Sequence, residues 1–451
     1  MKKLKITLYL LLAGTVAITT SSCKKFLDVN KNPNAPEVVT PAVLLTAAQV
    51  NLAFTQGGDI SRYTSVFNQQ VKGATRQFAS YNQYIMSSED FGNAWGNLYD
   101  GTMMDLVQIQ KIADENGYKH YSGVSKVLMA YSLALATDMW GDVPYTEAFV
   151  GSDKLQPKYD KQEDVYATII KLLMDAKTDL ATPVASAGGL RPGSDDLVFG
   201  GNISKWTKMA NSLMARNWLH LVKRKPVQAI QGMSDAITAG GMASISDDAK
   251  VAFVNSPTNA SPWYQYISAR DDIGYKSWLT DTMMGLGDPR FLKYVDTDGG
   301  TYGLGAHYSD AASAVELMTY SEYKFIEAEF HMLKATPDTA AANAAYDAAV
   351  AASFTNAGAS GATSYLANMK VNLIGLSNSD RLTRIRFQKY IALYLHPEAF
   401  NNWRLTGIPG IVPTNGASIP RRFIYSQDEL SYNGANVPTG TSLFSKVWWD
   451  N

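Results

Sequence analysis

Cysteine is almost absent from this chain. A single one, Cys23, stands in 451 residues, and a lone cysteine excludes an internal disulfide framework. Histidine is nearly as scarce: the five, at 120, 220, 307, 331 and 396, show no metal-binding spacing of the H-E-x-x-H kind. The sequence lacks a G-x-S-x-G elbow, a P-loop and a full dinucleotide fingerprint. After residue 18 no apolar run approaches the ~20 residues that a bilayer span requires. Charge of one sign is missing too, with 40 basic against 41 acidic residues, which gives no reason to expect a nucleic-acid partner. Metal, cofactor and common nucleophilic chemistries are therefore not indicated, and neither a metal nor a cofactor is expected.

What is present begins at the N-terminus. Lys2, Lys3 and Lys5 precede a mostly apolar stretch, 6–18, which turns small and hydroxylated at Thr19-Thr20-Ser21-Ser22. A basic n-region, an apolar core and small residues before a cut describe a secretory signal over 1–22. Cys23 follows at once, where a bacterial lipoprotein carries its acylated cysteine; ordinary cleavage near Ser22 with Cys23 a bystander is the competing reading. Several acyl chains hold firmly, at about 0.8 kcal/mol per buried CH₂. Export removes three lysines and leaves a formal charge of −4. Residues 23–39, with Asn30-Lys31-Asn32-Pro33-Asn34, read as a lipidated tether, and 40–451 as a single domain.

Apolar periodicity in that domain predicts helices. Thr40-Pro41 opens one through residue 54. Others are expected over 98–116, 122–140, 163–181, 204–223, 321–334, 338–354 and from 379 or 380 to 395 or 396. Val165, Ile169, Leu172, Leu173, Ala176 and Leu180 share one face, with Lys171, Asp175 and Asp179 opposite, the pattern of an amphipathic surface helix. Neighbours come as hairpins, 98–116 with 122–140 and 321–334 with 338–354, each close to the ~34 residues of a tetratricopeptide unit. Short strands fit near 250–254. The expected class is all-α, stacked helix pairs with long loop excursions. Two stretches, 57–96 and 255–310, are rich in Gly, Asn, Ser and aromatics and carry little period. Long loops of this sort usually do something.

Several ordered motifs resemble one family. Phe26-Leu27-Asp28-Val29-Asn30 with Asn32-Pro33-Asn34 is similar to the opening of the SusD/RagB outer-membrane lipoproteins. The run from Leu133 to Tyr145, ending Asp138-Met139-Trp140-Gly141-Asp142-Val143-Pro144-Tyr145, resembles their most recognisable helix end. Pro157-Lys158-Tyr159-Asp160, Gly200-Gly201-Asn202 with Lys205-Trp206, Gln388 to Tyr394, Trp403-Arg404-Leu405-Thr406-Gly407 and Ile419-Pro420-Arg421-Arg422 follow in order. The resemblance implies a helical domain on tetratricopeptide-like pairs and a cell-surface, outer-membrane location. It also implies capture of an oligosaccharide or a peptide, and a SusC-like, TonB-dependent barrel as partner. The family's members are binders rather than enzymes. The Lys24-Lys25 pair departs from the acidic residues that often follow the cysteine of surface-exported lipoproteins.

A helical glycoside hydrolase is the remaining enzyme alternative, since two carboxylates suffice for that chemistry. Trp140 to Tyr145 reads as a structural helix end, with Gly141 at C′ and Pro144 barring renewed helix. Arg384, Arg386 and Arg404 either pair with acids such as Glu327 and Glu329 or lie solvated. Asp296-Thr297-Asp298-Gly299-Gly300 begins like a calcium loop but lacks its later ligands, and reads as a turn. For ligand contact, Phe78, Tyr81, Tyr84 and Trp95 stand in the first irregular stretch, and Trp263, Tyr264, Tyr266, Tyr275 and Trp278 in the second. Sugar rings stack their C–H faces on aromatic planes, so Tyr81, Trp95, Trp263, Tyr264 and Trp278 are the leading binding candidates; anchoring of the loops is the structural alternative for each.

Overall fold

Prolines and short polar side chains set where the helices start. A computed structural model describes residues 39–451 apart from Pro257 and Ala417; the expected signal, Cys23 and all of the tether but Val39 lie outside the described residues. Residues Pro41–Asn451 form one unit. The helices that build the scaffold and the cleft are α1 (Pro41–Thr55), α2 (Ser61–Phe67), α3 (Met104–Asn116), α4 (Lys119–Trp140), α5 (Gln162–Leu180), α6 (Ile203–His220), α7 (Pro226–Thr238), α8 (Pro262–Ala269), α9 (Tyr320–Leu333), α10 (Thr339–Asn356), α11 (Asn378–Ala392) and α12 (Pro397–Thr406). Pro41, Pro226, Pro262 and Pro397 each sit in a first turn, where a missing N–H costs nothing. Asn202, Asp338 and Ser377 accept backbone N–H bonds at the starts of α6, α10 and α11, and such caps contribute roughly 1 kcal/mol each.

Neighbouring helices pack in pairs, α3 on α4, α4 on α5, α6 on α7 and α9 on α10; the first and last are the two hairpins that the spacing predicts. The helix-rich class is the expected one. Four of these helices were not foreseen: α2 and α8, which fall in the two stretches read as loop excursions, and α7 and α12. In α7, Ala229, Gly232, Met233 and Ala236 form the buried stripe, small residues that give a weak apolar signal. At Pro397 the chain both stops α11's path and starts α12, so a proline read only as a stop concealed the helix behind it. Asp179, expected on the solvent face of α5, instead bonds Lys126 at 2.5 Å and the Ser122 hydroxyl at 2.9 Å. Arg386 pairs with buried Glu329 at 2.8 Å, whereas Arg384 donates to the Met369 and Asn372 carbonyls.

The two irregular stretches are built from short helices and ladders rather than open loop. Lys72–Gly73 pairs antiparallel with Ile273–Gly274, which zips one stretch to the other. The expected strand forms over Ala249–Val251 and pairs with Val315–Met318. Asp296 begins a turn between the Val295–Asp296 and Gly303–Leu304 strands, its carboxylate accepting the Asp298 N–H at 2.9 Å.

The helix end at Trp140-Gly141 is structural in detail. Gly141 has φ +84° and ψ −120°, a conformation reserved for glycine. A Cβ there would meet the Arg422 guanidinium at 3.2 Å, which donates to the Trp140 carbonyl. The Trp140 indole N–H reaches the Ile424 carbonyl at 3.0 Å, and the Tyr99 and Tyr425 hydroxyls bond the Pro144 and Asp142 carbonyls. Gly117, at φ +72° in the left-handed helical region with nothing near its missing Cβ, is the natural control. Gly141→Ala is expected to cost about 1–3 kcal/mol and Gly117→Ala about 1 kcal/mol, measured by urea unfolding.

Candidate functional site

Where α1 ends, the backbone does not turn cleanly into α2. Residues Gln56–Ile60 form a π-turn in which Gly58 leaves helical geometry at φ −93°, ψ −116°. A second π-turn, Asn97–Met103, runs into α3. Such turns recur at functional sites because an extra residue re-aims side chains. Here both border one cleft of about 380 Å³, closed on its third side by α8.

Asp59 and Arg62, three residues apart across the first turn, form an ion pair at 2.6 Å. The Arg62 guanidinium lies 4.5 Å over the ring of Tyr266 from α8. Behind it, the Tyr266 hydroxyl stands 3.4 Å from the fully buried Asp272 carboxylate. Burial first, and Asp272 second, hold that phenol well above its ordinary value. Asp272 also accepts from Arg270 and Arg76, each at 3.3 Å. Both guanidinium groups that line the cleft, Arg62 and Arg270, thus have carboxylate partners.

The remaining polar lining is neutral. Asn93 and Asn97, one helical turn apart, are exposed at the cleft, and among the described residues their side-chain amides have no partner. Gln265 donates one N–H to the Ala260 carbonyl at 2.9 Å and keeps its carbonyl oxygen for the cleft. Asp59 is the only carboxylate in the described lining, whereas glycoside hydrolysis needs two placed about 5–9.5 Å apart. Amide groups, a stacked guanidinium and an aromatic ring suit the binding of a hydroxyl-rich, uncharged molecule.

The five aromatic candidates fall into different places. Tyr81, Trp95 and Trp263 retain 2, 6 and 5% of their surface, and protein groups pack against all three. Tyr81 packs on Tyr63 and Phe78 and bonds Asp90. Trp95 stacks on Tyr99 at 4.6 Å and meets Trp140 edge-on. The Trp263 indole donates to the Ser61 hydroxyl at 3.0 Å, tying α8 to α2. Trp278, half-buried, packs on Phe387 and Tyr390 away from the cleft lining. Tyr264 is half-buried on α8 and lines a neighbouring hollow. Arg62, Asn93, Asn97 and Gln265 were not singled out from sequence; the Asn-x-x-x-Asn step around Trp95 was the available signal.

One other cluster has donor atoms close enough to hold a metal ion. Buried Asp138, His220 and Glu398 bring one ligand atom each within 4.8 Å of the others. Every one of them is already engaged. Tyr166 gives its proton to Asp138 at 2.5 Å, so the His220 Nδ1–H donates to the phenol oxygen at 2.8 Å. His220 Nε2–H donates to Glu398 at 2.8 Å. Asn401 bridges both carboxylates at 2.9 Å, and the Trp449 indole reaches Asp138 at 3.0 Å. This is a hydrogen-bonded core whose lone pairs are spent, not an open coordination shell.

A family model described as SusD-like, starch-binding and associating with the outer membrane, matches residues 33–426. No curated protein matches the sequence significantly. Among solved structures, a chitin-binding protein superposes with a TM-score of 0.78 at 24% identity, covering 91% of this chain and 100% of that one. A chitin-binding SusD homolog from Flavobacterium johnsoniae gives 0.75 at 21%, with 91% and 98% covered. A SusD/RagB family protein from Bacteroides thetaiotaomicron gives 0.79 at 22%, with 92% and 99% covered.

The buried imidazolium carries a pH signature. Burial alone would lower the His220 pKa, yet Glu398 and Asp138 hold it above its ordinary 6.5. Burial would raise Glu398, but His220 brings it well below its ordinary 4.5. The His220 contribution is full below pH 6.5 and is lost as pH rises through the folded value; that of Glu398 is full above 4.5 and is lost as pH falls. Both are present between about pH 4.5 and 6.5, so the contribution of this pair should be greatest there, opposed by Asp138, whose pKa burial raises and which costs stability as pH rises through its folded value. His220→Ala should cost about 3–5 kcal/mol in that window, with a smaller deficit at alkaline pH, read from urea unfolding across pH.

Proposed function

Because the chain belongs to the SusD-like family of starch-binding proteins that associate with the outer membrane, we propose that it captures a neutral oligosaccharide in the cleft between the two π-turns and α8. It then passes the sugar to a SusC-like, TonB-dependent barrel. Cys23 is acylated and holds the protein at the outer cell surface. The observation that carries the reading is the charge pairing of the cleft. Each guanidinium there is matched to a carboxylate, while the Asn93 and Asn97 amides are left for a ligand that brings hydroxyls rather than charge. Starch in the family description and chitin in the names of two similar structures are both polymers of this chemistry. The protein binds without hydrolysing, consistent with the single carboxylate in the lining.

The test is calorimetric titration with glucose and N-acetylglucosamine oligomers, beside a peptide library. Arg62→Ala is expected to weaken oligosaccharide binding by about 2 kcal/mol, roughly thirtyfold. Raising salt from low to high concentration should change the affinity little, because no unmatched charge is read. Peptide binding without sugar binding, or a steep salt dependence, contradicts the reading. Mass spectrometry of the mature N-terminus should find a lipid on Cys23, and pull-down from native outer membranes should recover one dominant barrel protein; a free thiol, or a lipoprotein recovered alone, removes the anchor or the partner respectively.

A further inference from the structure

The cleft has a neighbour on the same helix. A second hollow of about 380 Å³ is lined by Asn255, Ser256, Tyr264, Gln265 and Ser268, and Gln265 lines both hollows. Tyr264 and Tyr266 are two residues apart, about 200° around an α-helix, so α8 presents one tyrosine to each side and forms a low ridge between them. The two rings differ in how far the protein has already used them. Tyr266 has Arg62 over one face, Phe78 at 5.6 Å and its hydroxyl near Asp272. Tyr264, half-buried, has neither an aromatic partner nor a hydrogen bond among the described residues. It lines the second hollow while keeping part of its surface exposed. Among the described residues, the rest of the second hollow is hydroxyl and amide, with no charged group.

We infer that the two hollows are successive subsites of one groove for an unbranched, neutral glycan chain of several units. Tyr264 stacks on a sugar in the outer subsite, and Gln265 bonds hydroxyls at the saddle. The inference rests on the reading of the cleft as a glycan site and adds what that reading leaves open: the ligand is a chain, and its length is measured by α8. A hollow of this size takes a ligand of about disaccharide bulk. A dimer therefore fills the first subsite and leaves the second empty, while a longer chain fills both and gains affinity from one continuous molecule.

The experiment is calorimetric titration of the full-length protein with dimers and hexamers of α-1,4-linked glucose and of β-1,4-linked N-acetylglucosamine. In the series that binds, the hexamer is expected to bind at least about tenfold tighter than the dimer. Tyr264→Ala should bring the hexamer down to the affinity of the dimer and leave the dimer unchanged, while Tyr264→Phe keeps the ring and the hexamer's advantage. Ser268→Trp, at an exposed position, plugs the outer hollow without disturbing the core and should act like Tyr264→Ala. Equal affinity for dimer and hexamer, or a Tyr264→Ala loss shared alike by both, overturns the two-subsite groove, even while Arg62→Ala still weakens binding and so upholds the cleft. Failure of both series to bind removes the glycan reading, and the inference falls with it.

Discussion

The Asp138 carboxylate accepts hydrogen bonds from Tyr166 of α5, Asn401 of α12 and Trp449 at the C-terminus, so it joins segments separated by up to 311 residues. In a buried site the Trp449 indole N–H would be stranded without it, at a cost of about 1–3 kcal/mol, and Tyr166 and Asn401 would each lose one of two partners. Around it, the His220 imidazole stacks on the Trp449 indole at 5.2 Å. The Arg404 guanidinium lies between Phe400 and Trp449, at 4.4 and 4.7 Å. The helical pairs are held in one arrangement by this polar knot as much as by apolar burial, because apolar faces alone tolerate sliding and a directional network does not.

From the knot a continuous path leads to the cleft. Tyr131, two turns before Asp138 on α4, donates to Gln56 at 2.5 Å, and Gln56 in turn contacts His396 at 3.2 Å, just ahead of α12. The Ser61 hydroxyl bonds the Leu395 carbonyl at 2.5 Å and receives the Trp263 indole N–H. Gln56 and Ser61 flank the π-turn that aims Asp59 and Arg62, and Trp263 lies on the helix that carries Tyr266. The cleft is thus assembled on rigid elements, with its irregular backbone fixed from beneath by the buried Gln56, Ser61 and Trp263 side chains. Buried tyrosine and tryptophan serve this anchoring because each brings a large apolar body and one hydrogen-bonding tip.

Much of the scaffold was legible in the sequence, and for physical reasons. Helices such as α5 and α9 show a wide apolar stripe, α9 has a Thr319 cap as well, and Gly117 and Gly141 end their helices where positive φ is required. What escaped had weak or double-valued signals: the small-residue stripe of α7, and Pro397, which both ends and begins. Of the proposed cleft, the two stretches singled out in the sequence supply most of the lining, but the aromatic rings were weighted over the amides and paired charges found there. An aromatic residue announces itself in a sequence whether it lies under the surface or on it; Trp95 and Tyr264 look alike there and differ only in what packs over them. Asn97 opens a turn whose π geometry has no clear sequence pattern, Asn93 lies one helical turn ahead of it, and the Asp59–Arg62 pair resembles any surface ion pair until α8 is brought beside it.

The location of the ligand is the claim on which the functional account turns. Hydrogen–deuterium exchange, followed by mass spectrometry with and without a saturating hexasaccharide from whichever series binds, addresses it without mutating any residue. The expected result is slowed exchange confined to residues 56–62, 93–103 and 262–270, the two π-turns and α8. Protection elsewhere, with those three segments unchanged, would place the ligand on another surface and contradict the assignment.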